Sequence, residues 1–354
     1  MCNIAGYTGD RQAAPILIEM LRREEYIDGG ICTGIATIHE GKMYMAKVVG
    51  NVDELLRQTD VLHFPGTVGI AHSRPGGNLA SQAHPFADKN ENLALVLNGT
   101  LRDVGTPEFY QHSADVMQGF LDRGFPIRTA IPKNGAHHVL TNGMSYHDTE
   151  PYALYIGDKV DNGMDIAHAA AAALAELPAD IVLMCIHAAL DGVITAGRIT
   201  RPVTAGICQG ETFLATTALA FPGDRQYRNI VPVPVASVAQ ARPGSLTITD
   251  AVIEGIRVQE IDHALASAAY ARMEALLQGQ KEDPKCIYDM PFFEEWRDIW
   301  SEPLVDCAYK TESGLLKPYA ALMYEILWDF HKQGRLHSVH GDIKGKPITR
   351  FWID

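Results

Sequence analysis

Cys2 follows directly on Met1, and removal of Met1 would leave one residue carrying both a thiol and a free α-amino group. Such an amine titrates near pH ~7.7–8.0 and a free thiol near ~8.5. The amine can therefore take the thiol proton and later return it to a leaving amine. A thiolate that attacks an amide carbonyl creates an oxyanion, which needs donors already in place. Asn98-Gly99 offers a side-chain amide and a main-chain N–H in adjacent residues, and glycine lets the backbone approach a substrate closely. Asn-Gly is also a favoured tight-turn pair, so a plain turn stays open. Arg74 closes the apolar run 67–73, where a planar guanidinium could clamp a carboxylate or simply end a surface strand. Asp148, taken alone, reads equally as the N-cap of a helix containing Pro151 and Leu154.

Five blocks carry more than any one of these residues. They are Cys2-Asn3-Ile4-Ala5-Gly6-Tyr7, Gly69-Ile70-Ala71-His72-Ser73-Arg74, Ala83-His84-Pro85, Asn98-Gly99 and Ser145-Tyr146-His147-Asp148-Thr149-Glu150. In this order they resemble the class II, N-terminal-nucleophile (Ntn) glutamine amidotransferases. The nearest branch is the glutaminase domain of glucosamine-6-phosphate synthase, and Leu21-Arg22-Arg23, Glu25-Tyr26 and Lys47-Val48-Val49-Gly50 are similar to it as well. The resemblance runs from residue 2 to about residue 250. It implies that Cys2 is the nucleophile, with Asn98 and Gly99 holding the oxyanion. It further implies that Arg74 binds the α-carboxylate of glutamine and Asp148 its α-ammonium, with His84 among the substrate-binding residues and no cofactor or metal. The implied fold is α+β, a four-layer αββα sandwich. After Arg74 the family carries an aromatic and then a polar residue, whereas this chain has Pro75-Gly76-Gly77-Asn78. Hydrolysis of a different amide therefore stands as an alternative, as does a catalytically weak regulatory or scaffold subunit.

Composition narrows the field. The 354 residues suffice for one large domain and a smaller one, and 47% hydrophobic content is ordinary for a globular chain. A net charge of −13 argues against a phosphate-backbone binder, so a nucleic-acid partner is not expected. The six cysteines are scattered without Cys-x-x-Cys spacing, which suits reduced thiols in a cytoplasmic protein. Neither a signal peptide nor a membrane-spanning apolar run is visible, so no membrane role is expected.

The elements that must position the site follow from periodicity. Residues 15–26 read as an amphipathic helix, and 31–38 with 42–49 as a hairpin around Glu40-Gly41. A strand over 67–73 delivers Arg74, and one over 93–97 delivers Asn98-Gly99 at its end. A helix starts at Thr106-Pro107. The stretch 126–144 reads as a long connection, its His137-His138 pair being loop residues without partners at metal spacing. An alanine-rich helix over 165–177 and strands over 179–188, 192–199, 211–216 and 245–256 complete an amidotransferase-like domain, 2–257. A mainly helical C-terminal extension, 258–354, follows, with helices over 258–280 and 318–332 and a terminal hairpin around Gly341-Asp342-Ile343-Lys344-Gly345. All four tryptophans (296, 300, 328, 352) lie in it, and no synthase domain is expected within these residues. Every site residue implied by the resemblance precedes position 150. The extension is thus expected to be separable from the chemistry, packing on its own sandwich, on a second copy as a homo-oligomer, or on an ammonia-accepting synthase subunit. A helix followed by a hairpin also suggests a winged-helix module, a reading disfavoured by the acidic charge.

Overall fold

Alternating and continuous apolar runs are long enough here to build two antiparallel sheets, each with helices on one face. The computed structural model describes residues 2–100, 107–132, 139–254, 256–290, 299, 315–343 and 346–354. The readings placed on Thr106, His137-His138, Trp296, Trp300, Cys307 and Lys344-Gly345 lie outside the described residues. The chain is α+β, as expected. In the first sheet, β1 (Asn3–Thr8) pairs with β4 (Val68–Arg74), which pairs with β2 (Cys32–His39), which pairs with β3 (Lys42–Val49). Strands Thr212–Ala215, Thr204–Ile207 and Asn229–Pro232 extend β1 on its other side. The second sheet runs Ser245–Asp250, Ser237–Arg242, Ile194–Arg198, Asp180–His187, β6 (Leu93–Thr100) and the short β5 (Phe86–Ala87).

Three cores order these elements. Ile4, Ile70, Val96, Met184, Ile194 and Leu214 come from both sheets and form one buried cluster between them. On the outer face of the first sheet, α1 (Ala13–Asp28) and α2 (Val52–Gln58) pack Leu17, Met20, Leu21 and Leu55 against Tyr7, Ile35 and Phe213. On the outer face of the second, α4 (Glu150–Asp161) and α5 (Ile166–Glu176) pack Tyr152, Ile156, Ala170 and Leu174 against Leu95, Ile181 and Leu183. Cys185 is fully buried in that same core. Between β6 and α4 comes α3 (Pro107–Asp122).

The extension forms α6 (His263–Leu277), α7 (Tyr319–Lys332) and the terminal hairpin Leu336–Ile343 with Lys346–Ile353. Leu277, Leu327 and Phe330 are fully buried in a core that also takes Ile27 from α1. Each such side chain contributes about 1.5–3 kcal/mol on burial. Of the two described tryptophans, Trp328 packs against the core beneath α1, and Trp352 stacks on His337 with ring centroids 5.3 Å apart. Helix α7 spends most of its surface on these contacts, with Ala320, Met323, Tyr324 and Ile326 also buried.

Several boundaries moved. The helix expected over 258–280 begins only at His263, because Asp262 caps it by accepting a hydrogen bond from the Leu265 N–H at 2.8 Å. The strand expected over 245–256 stops at Asp250, where pairing with Ser237 ends. Strand β6 runs past Leu97 to Thr100, so Asn98-Gly99 is paired strand and not a turn. Gly99 keeps that pairing at φ 121°, in the region that favours glycine, and a Cβ there would stand 2.2 Å from the Asp180 carbonyl oxygen.

One buried carboxylate has a measurable consequence for stability. Glu25 of α1 accepts the Val52 N–H at 2.9 Å, and burial pushes its pKa up from 4.5 to about 7. The folded state thus holds this proton more tightly than the unfolded chain does. Its contribution is most favourable below the unfolded pKa and is lost as pH rises through about 7. Glu25→Gln keeps an acceptor for Val52 without the titration. It is expected to be more stable than wild type by about 1–3 kcal/mol at pH 8.5, with little difference near pH 4. Thermal denaturation at the two pH values checks this, and equal wild-type and variant curves at pH 8.5 would contradict it.

Candidate active site

Cys2 stands at the entry to β1, in the first sheet, and Asn98 near the end of β6, in the second. The Asn98 side chain bridges them. The Cys2 backbone N–H donates to Asn98 Oδ1 at 3.0 Å, and Asn98 Nδ2 donates to the Cys2 carbonyl oxygen at 2.6 Å. Asn98 is 1% exposed, which leaves this clasp little water to compete with. Register then brings Arg74 alongside. Asn3 pairs with Ser73 and Cys32 with Arg74, so the ends of β1, β4 and β2 lie side by side. Burial pushes the Cys2 thiol pKa up, while the positive charges of Arg74 and Arg201 oppose that and the negative charge of Asp148 adds to it.

The second group of residues approaches from the segment before α4. Arg74 Nη1 donates to the Gln82 carbonyl at 3.0 Å and lies 2.7 Å from His147 Nε2. Across the same ring, His147 Nδ1 is 3.1 Å from Asp148 Oδ1. The Thr149 N–H also donates to His147 Nδ1, at 3.2 Å. His147 thus lies between Arg74 and Asp148, the two charges that the resemblance implies for opposite ends of one substrate. Glu150 fixes this segment. Its carboxylate accepts the Arg128 and Thr129 N–H groups at 2.6 and 3.1 Å as well as the Thr129 hydroxyl, and Thr129 Oγ1 in turn accepts the His147 N–H at 2.8 Å. The helix-cap alternative for Asp148 does not hold, since α4 begins at Glu150 and Thr149 occupies the cap position.

His84 lies deeper. Its ring lies against His72 with centroids 3.9 Å apart and the planes tilted by 33°, and its Nε2 is 3.0 Å from Thr149 Oγ1. Burial drives both rings well below the ordinary histidine pKa, so both are neutral. Lys47 Nζ donates to the Ala83 and Pro85 carbonyls at 2.8 and 3.0 Å, holding the backbone on either side of His84. The glycine pair after Arg74 also has a geometric role. Gly77 sits at φ 113° over Cys32, and a Cβ there would come within 2.9 Å of the Cys32 sulfur. Among the described residues no group of three His, Cys, Asp or Glu side chains is placed to hold a metal, and no helix is long and apolar enough to cross a membrane.

Cys2, Arg74, Asn98, Gly99 and Asp148 thus converge on one end of the two sheets. His147, Glu150 and Arg201 were missed as site residues. His147 and Glu150 sit inside a block already singled out, and the pairing of a histidine with the aspartate beside it was the available signal. Arg201 had none.

No family model matches the chain. In sequence it is 28% identical over 308 residues to the glutamine–fructose-6-phosphate aminotransferase (isomerizing) of Methanothermobacter thermautotrophicus, an alignment covering 84% of this chain and 46% of that protein. It is 29% identical over 224 residues to the enzyme of the same name from Pyrococcus horikoshii, covering 62% of this chain and 33% of that one. The chain thus spans between a third and a half of the length of these curated relatives. In structure it is similar to the glutamine phosphoribosylpyrophosphate amidotransferase of B. subtilis, with a TM-score of 0.55 and 18% identity over 73% of this chain and 50% of that one.

Proposed function

We propose that this chain, a class II glutamine amidotransferase by its likeness in sequence and fold, releases ammonia from the side chain of glutamine with Cys2 as the nucleophile. The observation that carries the reading is the clasp between Asn98 and Cys2, with Arg74 and Asp148 beside it. Once Met1 is removed, the Cys2 nitrogen already bonded to Asn98 becomes the α-amine that takes the thiol proton. The thiolate then attacks the side-chain carbonyl carbon of glutamine. The remaining Nδ2–H of Asn98 and the Gly99 N–H stabilise the oxyanion. Collapse of the intermediate expels ammonia, which carries away the proton held by the α-amine. Water attacks the γ-glutamyl thioester, returns the proton to sulfur and releases glutamate. Arg74 and Asp148 hold the α-carboxylate and α-ammonium, which selects a free amino acid over a peptide. The order of the three cores supports a four-layer αββα sandwich as the scaffold. The ammonia passes to a separate synthase subunit, with the extension available for contact with that subunit or with a second copy.

Ammonia release from free glutamine tests the activity, and intact mass after incubation with a glutamine-like electrophile tests both Met1 removal and labelling of Cys2. Arg74→Lys is the discriminating substitution. Lysine keeps the charge but loses the planar fork, whose Nη1 alone reaches Gln82 and His147 and whose other nitrogen would be offered to a carboxylate. KM for glutamine is expected to rise about 10-fold or more, with a smaller fall in kcat, because ground-state binding suffers most. A kinetically silent Arg74→Lys would remove the carboxylate clamp from the mechanism, and with it the case for a free amino acid.

A further inference from the structure

One route by which the extension reaches the site runs through a buried arginine. Arg201 lies between strands Ile194–Arg198 and Thr204–Ile207 and is 3% exposed. Its Nη2 is 2.8 Å from Asp180 Oδ2, an ion pair in which both side chains are almost wholly buried. Its Nε donates to the Asp180 carbonyl oxygen at 3.2 Å, and its Nη1 donates to the Tyr319 hydroxyl at 2.9 Å. The Tyr319 ring lies under the same guanidinium, 5.7 Å from its centre. The Thr200 hydroxyl donates to the other Asp180 carboxylate oxygen.

Asp180 is the residue against which the end of β6 is built. Thr100 pairs with Asp180, Gly99 with Ile181 and Asn98 with Val182. The Asp180 carbonyl that Arg201 holds is the same oxygen that leaves room only for glycine at position 99. Contacts therefore run from Tyr319 through Arg201 and Asp180 to Gly99 and Asn98, and from Asn98 to Cys2. A buried ion pair is costly unless its remaining donors are also satisfied. Tyr319, the first residue of α7, supplies one of those acceptors from the extension.

We propose that Arg201 is a positioning residue for the Cys2 centre and that Tyr319 of the C-terminal extension holds it there, making the extension part of the site and not a separable module. The proposal rests on the glutaminase reading for its kinetic readout, but its geometry concerns Cys2 and Asn98 whatever the substrate. Arg201 acts in two ways. It fixes the β6 end that presents Asn98 and Gly99, and it contributes positive charge on the thiol side of the cluster, where Arg74 also acts.

The test uses the full-length chain with Tyr319→Phe, Arg201→Lys and Arg201→Gln. Three quantities are read: alkylation of Cys2 by iodoacetamide against pH, followed by peptide mass; kcat and KM for glutamine; and thermal midpoint. Arg201→Gln is expected to move the alkylation midpoint up by on the order of one pH unit, with Arg201→Lys restoring most of the shift. Tyr319→Phe is expected to lower kcat about 10-fold with KM nearly unchanged, because misplacement of the oxyanion donors is felt in the transition state. If Arg201→Gln does not fold, Tyr319→Phe alone decides. Folded variants whose alkylation profile and kcat match wild type overturn the proposal, even where the thermal midpoint falls. A wild type that fails to release ammonia from glutamine, yet whose Cys2 alkylation shifts in Arg201→Gln, supports the positioning role and sinks the glutamine reading instead.

Discussion

Cys2→Ala is expected to release no ammonia above background, a loss of at least ~10³-fold, while folding as wild type does. The structure explains why fold and chemistry separate so cleanly at this position. Both hydrogen bonds that tie Cys2 to Asn98 use its backbone N–H and carbonyl, which alanine retains. Only the sulfur is lost, and with it the nucleophile of the proposed mechanism. Cys2→Ser should keep little activity, since an alcohol is a far poorer nucleophile at neutral pH. Ammonia release and intact mass after exposure to a glutamine-like electrophile check both variants, alongside a thermal melt. Undiminished glutaminase activity in Cys2→Ala would place the nucleophile elsewhere.

Asn98→Ala is expected to lower kcat by ~10²–10³ with little change in KM, the opposite split from Arg74→Lys. One donor of the proposed oxyanion site disappears, and so does the acceptor that holds the Cys2 nitrogen. The partly buried Cys2 N–H and carbonyl then lose that partner, at up to about 1–3 kcal/mol for each group that water does not reach. Asn98→Asp separates the two effects. It preserves the acceptor for the Cys2 N–H but faces the Cys2 carbonyl with a second oxygen, so kcat should remain low. Steady-state kinetics with a thermal melt of each variant makes the comparison. A loss confined to KM would reassign Asn98 to substrate binding.

Much of this site could be read in the sequence because its members lie in short, ordered blocks whose chemistry is local. A cysteine at the head of a strand, an arginine at the foot of another and an Asn-Gly pair each carry their own rationale. The strand that extends through Asn98-Gly99 was harder, because a dipeptide favoured in turns can also be paired backbone when a glycine tolerates φ 121°. His147 lay in plain view, yet nothing in its neighbours' spacing says that its ring joins Arg74, 73 residues away. Arg201 and Tyr319 are 118 residues apart and meet only through tertiary packing, which periodicity cannot report. Helix boundaries failed where a single cap decided them, as Asp262 does for α6. The apolar face of α7 was legible as such, but its choice of partner, the core shared with Ile27, is a property of the assembled chain.

The clasp at Asn98 also ties the proposed chemistry to the register of β6. Strand neighbours point to alternate faces, so a one-residue slip of β6 against strand Asp180–His187 would turn Asn98 away from Cys2 and present a residue with no side-chain amide. The contact joins the interiors of two sheets and is not held by a surface loop. One partner stands at the entry to a strand of the first sheet and the other on a strand of the second, so separation of the sheets also breaks the contact. Loss of the clasp in urea is therefore expected no later than loss of the sheets, and fraying of the chain's first residues would release it earlier.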